Sequence, residues 1–267
     1  EITCDSPAGT GTVDVTVTQG SESDTLAAAF EYTAAGSWTP ADITTALWLD
    51  ADDGSTITAS GGILSEWRDK SGNVNHGSAI STGPSVLTAD VGGGDAIGFT
   101  GDAAEALSLV SGVELNNHTM IMVVQHDGGS LGQIFSSSDA NNQLRFTDTS
   151  GDLLTVTNGS VGSASSLGIT GGYFIVALDG NGSSGRWYID GSSDTATSVT
   201  NAGGSGFDQI GRRLSSGEPL SGRIADVVLL PVVNDTDLRQ KVEGWVAHKR
   251  GLETRLPSGH PYKSSPP

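Results

Sequence analysis

The strongest constraint on this chain is that its apolar residues come in short runs cut off by turn residues. From residue 46 to 233 the sequence reads as strand after strand: ALWLDA, ILSEWRD, AIGFTG, ALSLVSG, HTMIMVVQH, GQIFSSS, QLRFTD, LLTVTN, GYFIVALDG, GRWYIDG, FDQIGR and GRIADVVLLPVV. Runs this short, alternating or wholly apolar, form strands, whereas a helix needs a longer 3.6-residue period. Asp-Gly follows such a run at Asp127-Gly128, Asp179-Gly180 and Asp190-Gly191. That dipeptide suits tight hairpins, because both residues tolerate positive φ. The 38 glycines fit a chain with many turns. Many strands with few helices predict an all-β antiparallel sandwich.

The ends of the chain read differently. Residues 1–35 give three short strands, and in VDVTVT the valines Val13, Val15 and Val17 alternate with Asp14, Thr16 and Thr18. Three strands are too few for a sandwich of their own. Residues 36–45, with Pro40, read as a linker. A helix is expected within 234–251. Asn234 or Asp235 can cap it, and Leu238, Val242, Trp245 and Val246 share a face. Lys249 and Arg250 suit its C-terminal end, and Gly251 stops it. Residues 252–267 are expected to be an extended tail packed by Leu256 and Tyr262.

A net charge of −18 disfavours contact with nucleic acid or an anionic membrane surface. No apolar run is long enough to predict a membrane-spanning helix. With the single cysteine Cys4 no intrachain disulfide forms. The chain opens EITCDS without methionine, so it is expected to be a piece of a longer polypeptide.

Two resemblances carry the reading further. ITCDSPAGTGTVDVTVTQGSESDTLAAAFEYTA resembles the second half of an IPT/TIG domain, an immunoglobulin-like fold. LWLDADDGSTIT with ILSEWRDKSGNVNHGSA, then YFIVALDGNGSSGRWYIDG, then the closing LSGRIADVVLLPVVNDTDLRQKVEGWVAHKRGLETRLPSGHPYK, resembles the laminin G-like or concanavalin A-like jelly rolls of phage virion proteins and bacterial surface proteins. The resemblance implies a concanavalin A-like antiparallel β-sandwich (jelly roll) at 46–233 with one C-terminal helix, preceded by a partial immunoglobulin-like β module. It further implies a non-enzymatic fibre or appendage on a virion surface. Its partners would be other virion chains, in a homo-oligomer, and a host-surface glycan. A purely architectural virion protein and a secreted bacterial adhesin or carbohydrate-binding module are the rival readings.

Two groups of residues are candidates for chemistry. The acidic loops DADDG and DKSGNVN offer Asp50, Asp52, Asp53, Asp69, Asn73 and Asn75 as oxygen ligands for calcium. Their alternative role is to shape turns by accepting hydrogen bonds from nearby amides. Catalysis by an Asp50/Asp52 pair is disfavoured, because no Glu-x-Asp-x-Glu string of the glucanase branch is present and glutamates are scattered. The polar loops at 126–133, 136–143 and 212–218 form the second group, a possible glycan-binding rim with His126, Asp127, Gln133, Asn141, Asn142, Arg212 and Arg213.

Overall fold

A computed structural model describes residues 11–32, 38–114, 117–128, 131–138, 142–146, 153–157, 160–164, 171–180, 185–194, 206–213 and 217–267. The chain divides into two units, Glu1–Trp38 and Thr39–Pro267. The strands in chain order are β1 Gly11–Gln19, β2 Glu22–Tyr32, β3 Leu47–Asp50, β4 Ile57–Ser60, β5 Ile63–Trp67, β6 Gly77–Ala79, β7 Ser85–Val91, β8 Gly94–Thr100, β9 Leu107–Val113, β10 His118–His126, β11 Gly132–Ser136, β12 Gln143–Phe146, β13 Leu153–Thr157, β14 Ser160–Ala164, β15 Tyr173–Gly180, β16 Gly185–Ile189, β17 Ser192–Ser193, β18 Phe207–Ile210 and β19 Ser221–Leu230. One α-helix, α1, spans Thr236–Lys249.

In the first unit β1 and β2 form a two-stranded antiparallel ribbon. Val15 lies opposite Leu26, and Val15, Val17 and Leu26 are exposed. The expected strand over EITCDSP and Cys4 lie outside the described residues.

The second unit is an antiparallel β-sandwich. One layer runs β4-β5-β6-β9-β18-β11-β12-β13-β14. The other is built on β19, which pairs along one edge with β3 and β8 and along the other with β10. From there β10 leads to β15, β16 and β17, while β7 flanks β8. Alternation sorts the side chains: Met120, Met122 and Val124 of β10 meet Leu144 and Phe146 of β12 in one core cluster with Trp67 and Trp187. The other layer turns a polar row outward, set by register: Gln143, Ser136, Gln209, Ser108, Ser78, Glu66 and Thr58 lie opposite one another across seven strands.

The Asp-Gly signals resolve into three different structures. Asp190-Gly191 is the two-residue hairpin turn between β16 and β17, both residues having positive φ (50° and 77°), the geometry of a type I′ turn. Asp179-Gly180 instead ends β15 and pairs with Arg186 and Gly185. Asp127-Gly128 follows β10, where Gly128 has φ 75°.

Helix α1 lies on the outer face of the β19 layer, against β10 and β15. Asp235 caps it, accepting from the Leu238 amide at 2.9 Å. Val242 and Val246 are buried, and Trp245 meets Trp48 edge-on with ring centroids 5.9 Å apart. Gly251, at φ 64°, ends it. Inside the expected linker, Thr39 caps a short 3-10 turn at Pro40–Asp42 in a capping box. The tail packs on the sandwich through a 3-10 turn at Glu253–Arg255, the buried Leu256 and Tyr262; a Cβ on Gly244 would overlap the Tyr262 Cβ.

Candidate functional site

Two of the three aspartates of DADDG, Asp50 and Asp53, meet cations supplied by the protein itself. β3 and β19 place Asp50 directly opposite Asp226, a like-charge pair that is unfavourable alone. The C-terminal end of α1 answers it. Lys249 donates to Asp50, and to Asp226 at 2.8 Å. Arg250, fully buried, donates Nε to Asp226 at 2.5 Å, and its other nitrogens reach the carbonyls of Asp95 and Ala225. Lys70 donates to Asp50 at 3.0 Å, pairs with Asp53 at 2.7 Å, and lies 4.2 Å from the Trp48 ring centre. Burial pushes the Asp50 carboxyl up, but Lys249 and Lys70 outweigh it and hold the group below its ordinary value. The hydrogen bond from Lys70 brings Asp53 down to about 2.

The remaining calcium candidates are also spoken for. Asp52 accepts from the Asp95 amide at 3.1 Å. Asp69 accepts from the amides of Trp48, Ser71 and Asn75 and from the Ser71 hydroxyl. Asn73 points its amide nitrogen, a donor, at the carbonyls of Thr45 and Ala46. Asn75 Oδ1 accepts from the Ser111 amide at 2.8 Å. Among the described residues no group of three or more His, Cys, Asp or Glu side chains is placed to hold a metal ion. Protein donors thus meet oxygens of Asp50, Asp52, Asp53, Asp69 and Asn75, the groups read in the sequence as calcium ligands, while Asn73 offers its amide nitrogen. This locus is a clamp for the helix.

The expected rim residues are divided. Gln133 and Arg213 converge on Glu218, and Gln133 also donates to Gln143 at 3.1 Å. His126 is buried and stacks on Phe146, centroids 4.3 Å apart. Asn142 is buried in the β11–β12 hairpin, where its amide donates to the Ser137 hydroxyl. Arg212 turns away to donate to the Ala103 carbonyl at 3.0 Å. Asn141 lies outside the described residues. Asp127 belongs to a different feature, on the other layer.

That feature is a cleft of about 350 Å³ lined by Ser85, Leu87, Gly98, Phe99, Thr100, Asp127, Ser221, Gly222 and Arg223. It occupies the half of the β19 layer's outer face that lies away from α1. Register builds it: Arg223 sits between Gly98 on β8 and Gln125 on β10, and Gln125 sits opposite Tyr173 on β15. Gly98 leaves room over the sheet that Leu87 partly fills; a Cβ there would come within 2.6 Å of Leu87 Cδ1. The charged groups are held in place. Gln125 donates to Asp127 at 3.0 Å, and Arg223 faces Asp90 at 3.8 Å. Tyr173 donates its hydroxyl to the same Asp90, and burial together with that carboxylate pushes the phenol well up, so it stays protonated. Serine and threonine hydroxyls, one carboxylate and one guanidinium around an apolar floor can fix the orientation of a small polyhydroxylated ligand. Arg223 and Ser221 were readable only as strand residues of SGRIADVV, and the cleft appears only when β8, β10 and β19 are side by side.

No family model matches the chain, and no curated protein matches it. Solved structures do. The ligand-binding domain of botulinum neurotoxin serotype D, crystallised with N-acetylneuraminic acid, aligns with TM-score 0.52 at 12% identity over 75% of this chain and 50% of that one. The binding domain of paraclostridial mosquitocidal protein 1 aligns with TM-score 0.53 at 12% identity over 70% and 51%. The receptor-binding domain of botulinum neurotoxin type G gives TM-score 0.50 at 13% identity over 73% and 49%. The chain spans about half the length of each of these. At such identities the likeness defines the fold, an antiparallel β-sandwich shared with receptor- and ligand-binding domains.

Proposed function

We propose that the sandwich is a non-enzymatic adhesion domain that holds a host-surface saccharide in the cleft between β7, β8, β10 and β19. The observation that carries this is the cleft itself: about 350 Å³, within the range typical of small-ligand sites, with Asp127 and Arg223 set among hydroxyl groups. The neighbours whose names describe receptor or ligand binding support the same reading. Asp50 is unsuited to general-acid work, because Lys249 and Lys70 hold its carboxyl below its ordinary value. Display on a virion as part of a fibre or appendage fits the acidic charge, the single cysteine and the order of modules read in the sequence. An architectural role is favoured by one observation, the exposed Val15, Val17 and Leu26 of the β1–β2 ribbon, which fit association with other chains.

A glycan array and a cell-adsorption assay test the proposal. Binding to a defined saccharide, weakened at least tenfold by Arg223→Ala or Asp127→Ala, is expected. Absence of binding in both assays would remove the adhesion role and leave the architectural one.

A further inference from the structure

The opposite layer of the sandwich carries a cluster whose donors outnumber its acceptors. Glu218 Oε2 accepts from Gln133 Nε2 at 2.6 Å and from Arg145 Nη1 at 2.7 Å. Among the described residues its Oε1 faces Arg213 Nη1, at 3.6 Å. Gln133 is fully buried, and its Nε2 also donates to Gln143. The Nε atoms of Arg145 and Arg213 and the Oε1 of Gln133 are buried with no hydrogen-bond partner among the described residues. Each guanidinium has five donors in a planar fork, and here two forks share one carboxylate. The cluster sets two guanidinium groups against one carboxylate, in a chain whose net charge is −18.

Backbone geometry fixes the carboxylate. Glu218 has φ 48°, and its carbonyl accepts from the Gln133 amide at 3.0 Å. The Arg213 and Gly217 backbones bond each other in both directions, at 2.8 and 2.9 Å. Gln133 and Arg145 are cross-strand partners on β11 and β12, so the amide and one guanidinium lie on the same face. The side chains of Arg145 and Arg213 are 18% and 37% exposed.

We infer that Gln133, Arg145, Arg213 and Glu218 form a second binding site that takes a carboxylate borne on a saccharide. A carboxylate supplies the missing acceptors and matches a guanidinium fork bidentately. Sugar hydroxyls next to it supply donors for the amide and carboxylate oxygens of Gln133 and Glu218. The oxyanion site stands on the geometry alone; the choice of a saccharide as carrier rests on the adhesion reading.

The test is titration of the full chain with an oligosaccharide bearing glucuronate at every second sugar, with its carboxyl-reduced neutral form, with glucuronate alone, and with acetate. The acidic oligosaccharide should bind at least tenfold more tightly than the reduced form. Arg213→Ala and Arg145→Gln should each erase that preference, and Arg68→Ala, at an exposed arginine outside both sites, should leave it intact. Glu218→Gln, which removes the internal competitor for the two arginines, should increase it. Equal binding of acidic and reduced forms, or a preference that survives both arginine substitutions, overturns the site. Acetate binding as tight as that of glucuronate, both lost in Arg213→Ala, overturns the saccharide as carrier and keeps the oxyanion site. Because Arg213 is partly exposed, an unchanged urea midpoint for its variant separates lost binding from lost folding.

Discussion

The outer face of the β19 layer is divided between two halves made by the same strands. Under helix α1, β10 presents Ile121 and Val123, β15 presents Ile175 and Ala177, and β19 presents Asp226 and Val228. A few residues further along, the same strands present Gln125 on β10, Tyr173 on β15 and Arg223 on β19. Both halves contain charge, but in different states. In the covered half, Asp226 and Arg250 are out of water and bonded to each other. In the open half, Arg223 and Asp90 remain partly exposed, with 3.8 Å between them. The contrast shows how one strand surface serves two purposes. Buried charge needs full pairing and holds the helix in one place, while exposed charge stays available to a ligand at little cost to the fold.

The largest expected effect breaks the covered half. Asp226→Ala leaves Arg250 buried without its counter-ion, which should cost about 3–5 kcal/mol, seen as a lower urea midpoint with α1 released from the sheet. Next is Gly244→Ala, which drives a methyl group into Tyr262. Overpacking of this kind costs about 1–3 kcal/mol, and proteolysis should then reach the tail first.

Acid sharpens the same comparison. The Asp50 and Asp53 carboxyls lie below their ordinary 3.8 in the folded chain. Their contribution is therefore complete at neutral pH and is lost as pH falls from about 4 towards 2. A thermal melt across that window should show a fall in stability that shrinks in Asp50→Asn; an identical acid profile for both proteins would mean that the clamp does not depend on that charge. The smallest expected change in stability is in the open half. Arg223→Ala should alter it by no more than about 0.5 kcal/mol, while saccharide binding falls at least tenfold.

What the sequence revealed and what it hid follows from distance along the chain. Alternation within HTMIMVVQH and QLRF places Met120, Met122, Leu144 and Phe146 in the core, since period-2 patterning is a local property. Asp235 and Gly251 bound the helix for the same local reason. Asp50 was ambiguous because one of its counter-ions, Lys249, lies 199 residues away, and no spacing rule spans such a gap. The cleft was invisible for a related cause: Thr100, Asp127 and Arg223 meet only through strand pairing. Arg145 was the more readable omission. It alternates with Leu144 and Phe146 in QLRF, so an arginine on the polar face of that strand was there to be noticed.

The clamp also orders events in time. β3 is among the first strands of the sandwich to leave the ribosome, yet Lys249 and Arg250, which bond Asp226, arrive only with helix α1. Until then Asp226 lacks both of those donors, and Trp48 lacks its edge contact with Trp245. Contacts of such long sequence separation form late and slow folding to the millisecond-to-second range. The α1 end thus acts as a completion check: a truncated product lacking Lys249 and Arg250 leaves Asp226 buried in the sheet without the two cations that bond it.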